Sequence, residues 1–170
     1  MLPDARPILG IDIGAAGAAA LISPDRCLLD VVDLPTLPDG PSCRPTISAP
    51  LFADLVRRWQ PVAAHIEFVG PRPNDGSRAA FAFGAAKATV EATLTALGVP
   101  VFWITVPVWK RLHGIPAGAG MKDVARAAAA RRWPDKATLF ARSRDDGRAE
   151  AALIGVAGMM REAGTKEHMR

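Results

Sequence analysis

Positions 7 to 14 form an apolar run broken by a single acid, Asp12. A run of that length bounded by turn residues predicts a buried strand. A second run, AGAAALI (16–22), follows a glycine turn, and CLLDVVDL (27–34) follows the turn SPDR. Together they predict a three-strand meander. Residues 35–47, PTLPDGPSCRPTI, are rich in proline and polar residues and predict a loop. Ser48 stands where it would cap a helix over 49–59, with Pro50 in the first turn. VAAHIEF (62–68) predicts a fourth strand that ends beside another acid, Glu67. After a loop at 70–77, residues 78–97 predict a long alanine-rich helix closed by Gly98. VPVFWIT (99–105) predicts a fifth strand, and VPVWKRLHG opens a short helical piece. A basic-faced helix is expected from Met121 to Trp133, stopped by Pro134, and a last helix over about 145–163.

The order β-β-β-α-β-α-β-α-α predicts an α/β fold with a mixed five-stranded sheet flanked by helices. That is the ribonuclease H-like arrangement. A chain of 170 residues with 49% hydrophobic content fits one domain, residues 1–170, with its core over about 7–163. The net charge of +4 is compatible with a polyanionic partner. Cys27 and Cys43 form no CxxC pair and no zinc-type cluster with the histidines. Cys27, just before an apolar run, is expected in the core. The start MLPDARPILG lacks the pattern of a signal peptide, and no apolar stretch is long enough to span a membrane. A cytoplasmic, nucleoid-associated protein with no membrane partner is therefore expected.

The acids carry the chemistry. A buried carboxylate with no partner costs several kcal/mol, so Asp12 must be paired, hydrogen-bonded or aimed at a metal. In the expected sheet the strand of Asp12 neighbours that of Glu67. In the last helix, RSRDDGRAEAALIG, Asp146 and Glu150 stand four apart on one face, whereas Asp145 reads as a solvated acid at the helix start. Like charges gathered in this way need compensation, and oxygen donors suit magnesium or manganese. Two such ions, roughly 3.5–4 Å apart, would stabilise the attacking and leaving oxygens of a phosphodiester in an in-line displacement.

ILGIDIG in the first strand, HIEFV in the fourth and GVPVFWITVPVWKRLHG around the fifth, followed by KDVARAAAARRWP and DDGRAEAALI, resemble the RuvC-type Holliday junction resolvases of the short phage and prophage branch. The resemblance covers roughly residues 7 to 158. It implies magnesium-dependent endonuclease cleavage of four-way or other branched DNA, with manganese substituting. It also implies products with 5′-phosphate and 3′-hydroxyl ends, a homodimer, and no small-molecule substrate. Asp12 and Glu67 match the first two catalytic acids, Glu150 the last, and Asp146 the remaining one. The last two stand four apart here but three apart in the bacterial housekeeping enzymes.

Lys110 and Lys122 match basic positions that contact DNA backbone, and Lys122 is the first candidate to neutralise charge at the scissile phosphate. Gly70 occupies the place of the aromatic that helps open the junction in the housekeeping enzymes. Phe81 and Phe83, on different helix faces, are the candidate replacements, one for DNA and one for the core. Arg72 and Arg78 flank the loop as candidate phosphate contacts. Arg126, Arg131 and Arg132 are candidates for an extended basic surface, and Arg142, Arg144 and Arg148 either meet DNA or screen the acids. His113 lies near the basic strip. The stripe Ala85, Ala88 and Ala92 fits either a dimer face or the protein's own sheet.

Two other functions fit parts of the pattern. A catalytically inactive DNA-binding module of the same fold is one. An ATP-binding protein of the actin-like and sugar-kinase type is the other, since GIDIGAAGAAALI resembles its first phosphate loop. That superfamily also needs a second phosphate loop and an adenosine loop, which are not evident here.

Overall fold

The computed structural model describes residues 6–14, 16–41, 43–68, 70, 76–116 and 122–168, with backbone alone at 122 and 165–168. Five strands form the main sheet: β1 (Ile8–Asp12), β2 (Ala18–Ile22), β3 (Leu28–Asp33), β6 (Ala64–Phe68) and β7 (Val101–Thr105). Their order is β3-β2-β1-β6-β7. The β1–β2 and β2–β3 pairs are antiparallel, and β1–β6 and β6–β7 are parallel. This is the mixed five-stranded sheet expected from the order of elements.

Helices cover both faces. On one face α1 (Ala49–Trp59) and α2 (Ser77–Ala96) pack on Leu9, Ile11, Ala64 and Ile66. Fully burying the ring of Phe52 and the side chains of Leu55 and Val56 stabilises this layer by about 1.5–3 kcal/mol each. On the other face lie α3 (Val106–Leu112), α4 (Lys122–Arg132), a 3-10 segment (Pro134–Phe140) and α5 (Asp146–His168). Their core includes Trp109, Phe140, Leu153 and Ile154. Helix α5 rests directly on the sheet because its contact residues are small. A Cβ on Gly10 would collide with the Ala151 carbonyl and would lie 2.5 Å from the backbone N of Gly155.

The helix ends follow the expected rules in part. Gly98, at φ +70°, closes α2 with Val99 N–H donating to Leu94 O at 2.9 Å and Gly98 N–H to Thr95 O at 3.0 Å. Ser48 occupies the cap position of α1, but its side chain makes no capping hydrogen bond.

Two expectations are overturned. Residues 35–47 are not simply loop: β4 (Thr36–Asp39) and β5 (Arg44–Ile47) form a separate two-stranded sheet. Pro38 stands directly opposite Pro45. Opposed residues in an antiparallel ladder alternate between hydrogen-bonded and non-bonded pairs, so a pair without N–H groups fits the second kind. Cys27 is exposed rather than in the core. It ends the tight turn from Ser23, with its N–H donating to Ser23 Oγ at 2.9 Å, and burial resumes at Leu28. Of the two readings open for the alanine stripe, packing on the sheet does not hold for Ala88 and Ala92, which face solvent. The stripe of α2 that meets the sheet is Ala86, Val90 and Leu94.

Candidate active site

Strand alternation fixes where the first two acids point. Gly10 abuts α5, so Asp12, two residues on, faces the same side. His65 touches Gly158 of α5, so Glu67 faces that side too. The register Gly10↔His65, Ile11↔Ile66 carries on to place Asp12 beside Glu67 at the carboxyl ends of neighbouring parallel strands. Such strands lie about 4.8 Å apart.

Helix α5 begins over this end of the sheet. A Cβ at Gly147 would lie 3.3 Å from Asp12 Oδ2 and 2.7 Å from Ala16 O, so the first turn sits against the Asp12 carboxylate. With about 100° between successive helix residues, Arg148 projects from one flank and Asp146 and Glu150 from the other. Arg148 reaches Asp33 on β3, with Nε–Oδ1 at 2.6 Å and Nη2–Oδ2 at 2.8 Å. The opposite flank leans toward β6, β7 and α3, where His113 Nε2 lies 2.8 Å from Leu153 O. Asp146 and Glu150 are therefore presented on the side of Glu67, both half-buried.

The neighbours of the acids are also defined. The fully buried Trp109 donates its indole N–H to Glu67 Oε1 at 2.8 Å. That bond orients a carboxylate that is only 9% exposed. Lys110 Nζ lies 5.4 Å from the centre of the same indole, which brings one of the expected lysines close to the acid end. Lys122 begins α4, and its side chain lies outside the described residues, as does all of Arg72. Arg78 and Phe81 are exposed on α2, across the sheet from α5. Phe83 packs against the α1–α2 core, whereas Phe81 stays in water.

Asp145 is not a solvated acid. It is 1% exposed, and Arg142 holds both its oxygens, with Nη2–Oδ1 at 2.7 Å and backbone N–Oδ2 at 2.8 Å. The Arg142 side chain, then its backbone N–H, hold the carboxyl below the usual carboxylate range against the opposing effect of burial. Arg126 is likewise no free part of a basic surface: it pairs with Asp123 and donates to Phe140 O at 3.4 Å. His113 serves structure, and burial pushes its pKa down.

Among the described residues no three carboxylate, imidazole or thiolate groups already converge as a metal-ligand set. The donor chemistry nonetheless fits a hard divalent cation. The candidate ligands are all carboxylates, and Asp12 Oδ2 and the Ala16 carbonyl both face the side of Gly147 that lacks a Cβ.

The fold recurs in solved structures. Thermus thermophilus RuvC aligns with a TM-score of 0.61 at 19% identity, over 94% of this chain and 98% of that one. The fold is that of RuvC. T. thermophilus RuvC in complex with a Holliday junction substrate gives the same TM-score at 16% identity, with the same coverage. The yeast mitochondrial Holliday junction resolvase Ydc2 gives 0.59 at 14% identity, over 99% of this chain and 85% of that one. No protein-family model matches the sequence, and no curated protein matches it. The kinship with RuvC is thus one of fold. No helix among the described residues is long and apolar enough to cross a membrane.

Nothing beside residue 109 in the sequence marks Trp109 as a partner of Glu67. Its signal was available in retrospect: a tryptophan in a short amphipathic helix next to an acid-bearing sheet needs an acceptor for its N–H when buried.

Proposed function

We propose that the protein is a divalent-metal-dependent endonuclease that cleaves four-way or other branched DNA. One observation carries this: Asp12 and Glu67 end adjacent parallel strands on the face where α5 starts with Asp146 and Glu150. The fold shared with RuvC supports it, and one of those structures holds a Holliday junction.

In this mechanism Asp12, Glu67, Asp146 and Glu150 would hold magnesium, with manganese able to replace it. When bound, a pair of such ions supplies positive charge for the attacking and leaving oxygens of the phosphodiester. The chain's own residues do the rest. Trp109 orients Glu67 through its indole N–H. The Arg142–Asp145 clamp fixes the start of α5 and so aims Asp146. Lys110, and Lys122 at the head of α4, neutralise phosphate charge. Arg72, Arg78 and Phe81 contact the strands that leave the cut. Water attacks the phosphorus and the 3′ oxygen departs, giving 5′-phosphate and 3′-hydroxyl ends. Two copies would cut two strands symmetrically, and the exposed Ala88 and Ala92 on α2 allow a close helix contact between them.

The test incubates wild-type protein and Asp12→Asn with a labelled four-way junction, a matched linear duplex and a fork, in magnesium or EDTA. Paired symmetric nicks in the junction, lost in EDTA and in the variant, are the expected result. Equal cutting of fork and junction would make it a general debranching nuclease. Tight binding without cutting would leave a DNA-binding module and overturn the catalytic reading.

A further inference from the structure

The acid end of the sheet carries a third carboxylate in line with the first two. Asp33 on β3 stands opposite Ala18, and Ala18 stands opposite Asp12. Residues opposed in this way share a face of the sheet. Asp33, Asp12 and Glu67 therefore lie in one cross-strand row on the α5 side. Asp33 is two strand spacings from Asp12, about 10 Å. The mechanism uses Asp12 and Glu67 and leaves Asp33 aside.

Asp33 has a cation of its own. Arg148 holds both its oxygens through Nε and Nη2. The third guanidinium nitrogen, Nη1, lies 3.9 Å from Asp145 Oδ1, and Asp145 is held in turn by Arg142. Signs alternate along Arg142, Asp145, Arg148 and Asp33, a chain that runs from the segment before α5 to the edge strand of the sheet. All three nitrogens of Arg148 face carboxylates, and its side chain is only 19% exposed, so it is not a cation held out for a phosphate. Nor is stability its main use. The Asp33 side chain is 65% exposed, and a pair so open to water adds little.

Helix geometry gives the pair another use. At about 100° per residue, Arg148 stands about 160° around the axis from both Asp146 and Glu150. Gly147, which faces Asp12 in the same turn, has no side chain to key into the sheet. Small residues set how near α5 comes to the strands. A planar two-point grip on a fixed strand sets how the helix is turned about its axis.

We propose that Arg148 is a positioning residue of the acid site: its fork on Asp33 fixes the rotation of the first turn of α5 and so aims Asp146 and Glu150 toward Glu67. The inference rests on the metal site proposed above and adds to it a pair that touches neither metal nor DNA.

The experiment titrates manganese into the metal-free protein without DNA and reads the free ion by electron paramagnetic resonance. Wild type is compared with Arg148→Gln, Arg148→Lys, Asp33→Asn and the double variant Asp33→Asn/Arg148→Gln. Asp12→Asn defines the binding that belongs to the acid site, and circular dichroism verifies that each variant folds. Arg148→Gln and Asp33→Asn are each expected to weaken that binding about tenfold, and the double variant to weaken it no further. Arg148→Lys keeps the charge without the fork and should fall between wild type and Arg148→Gln. The sign is informative, because loss of a nearby positive charge would by itself tighten cation binding. Single-turnover cleavage should need more magnesium yet reach the wild-type rate at saturation, with junction affinity in EDTA unchanged.

Unchanged or tighter manganese binding in Arg148→Gln would overturn the proposal, as would losses that add in the double variant. So would an Arg148→Gln protein whose only defect is weaker junction binding with a salt slope shallower by about 0.9, the mark of one phosphate contact. The nuclease reading is judged apart. If wild type binds manganese through Asp12 but cuts no DNA, that reading falls and the manganese series still decides for or against Arg148. If Asp12→Asn binds manganese as wild type does, the metal site and the role of Arg148 fall together.

Discussion

Two helices lie on opposite faces of one sheet and meet it in different ways. Helix α5 meets β1 through glycine and alanine, backbone nearly against backbone, along Gly147, Ala151 and Gly155. Helix α2 touches the sheet only from Ala86 onward, through Val90 and Leu94, and its residues 77–79, 81 and 82 stand exposed. Close packing of small residues leaves α5 no slack, so the acids of its first turn are held in register with Asp12. The looser seat of α2 leaves a surface on which other molecules can rest. One sheet thus supports a rigid site on one face and an open one on the other, and side-chain size at the contact decides which.

The contrast can be broken at several strengths. The largest effect is expected for Asp12→Asn, which should lower junction cleavage by more than about a hundredfold while junction binding is kept or tightened. Single-turnover cleavage and anisotropy on the same preparation check it, and equal losses in both would mark a folding defect instead. Gly10→Ala should cost about 3 kcal/mol or more, because the added Cβ meets backbone that has nowhere to go. Ala88→Leu on exposed α2 should stay within about 0.5 kcal/mol in the same urea titration. If the two substitutions cost the same, the two faces do not differ in the way described.

Acid should also single out the α5 face. His65 is fully buried against Gly158, and burial, with a smaller push from Arg161, lowers its pKa from 6.5 to about 4. Glu162 Oε1 lies 3.3 Å from its Nε2. Between those two pKa values the unfolded chain binds a proton that the folded chain refuses. Stability should therefore fall as pH drops from about 6.5 to about 4, by about 3 kcal/mol in all. His65→Gln should flatten that part of a pH series of urea midpoints; an unchanged slope would remove His65 as the cause.

Trp109→Phe deletes the donor to Glu67 Oε1 and leaves space where the larger, fully buried indole stood. It should cost about 1–3 kcal/mol in stability and slow cleavage about tenfold with junction affinity unchanged. Asp33→Asn should also have a small effect, about 1 kcal/mol or less, since Asp33 is largely exposed and its pair with Arg148 is open to water.

Much of this was legible before any coordinates. The five main strands announce themselves as apolar runs, and Asp12 and Glu67 stand out because an acid in such a run needs a reason. Spacing alone put Asp146 and Glu150 on one face. What escaped depends on which side chains meet, near or far along the chain. Asp145 and Asp146 are neighbours of the same type, and only the approach of Arg142 buries one of them. Trp109 meets Glu67 across 42 residues. The hairpin was hidden because its prolines signal a break, although opposed prolines are compatible with a short two-stranded ladder. Cys27 was misplaced by one residue of pattern: the apolar run begins at Leu28, after the turn has closed.

The hairpin's independence has a further consequence. Its two strands pair only with each other and share no ladder with the five-stranded sheet. Insertions, deletions or exchanges at its tip, around Gly40, therefore leave the alignment of β1 with β6 untouched. Changes confined to that arm leave the carboxylates in their places. The arm and the acid-bearing strands are separate pieces of the chain, so a laboratory swap of residues 36–47 changes one without rebuilding the other.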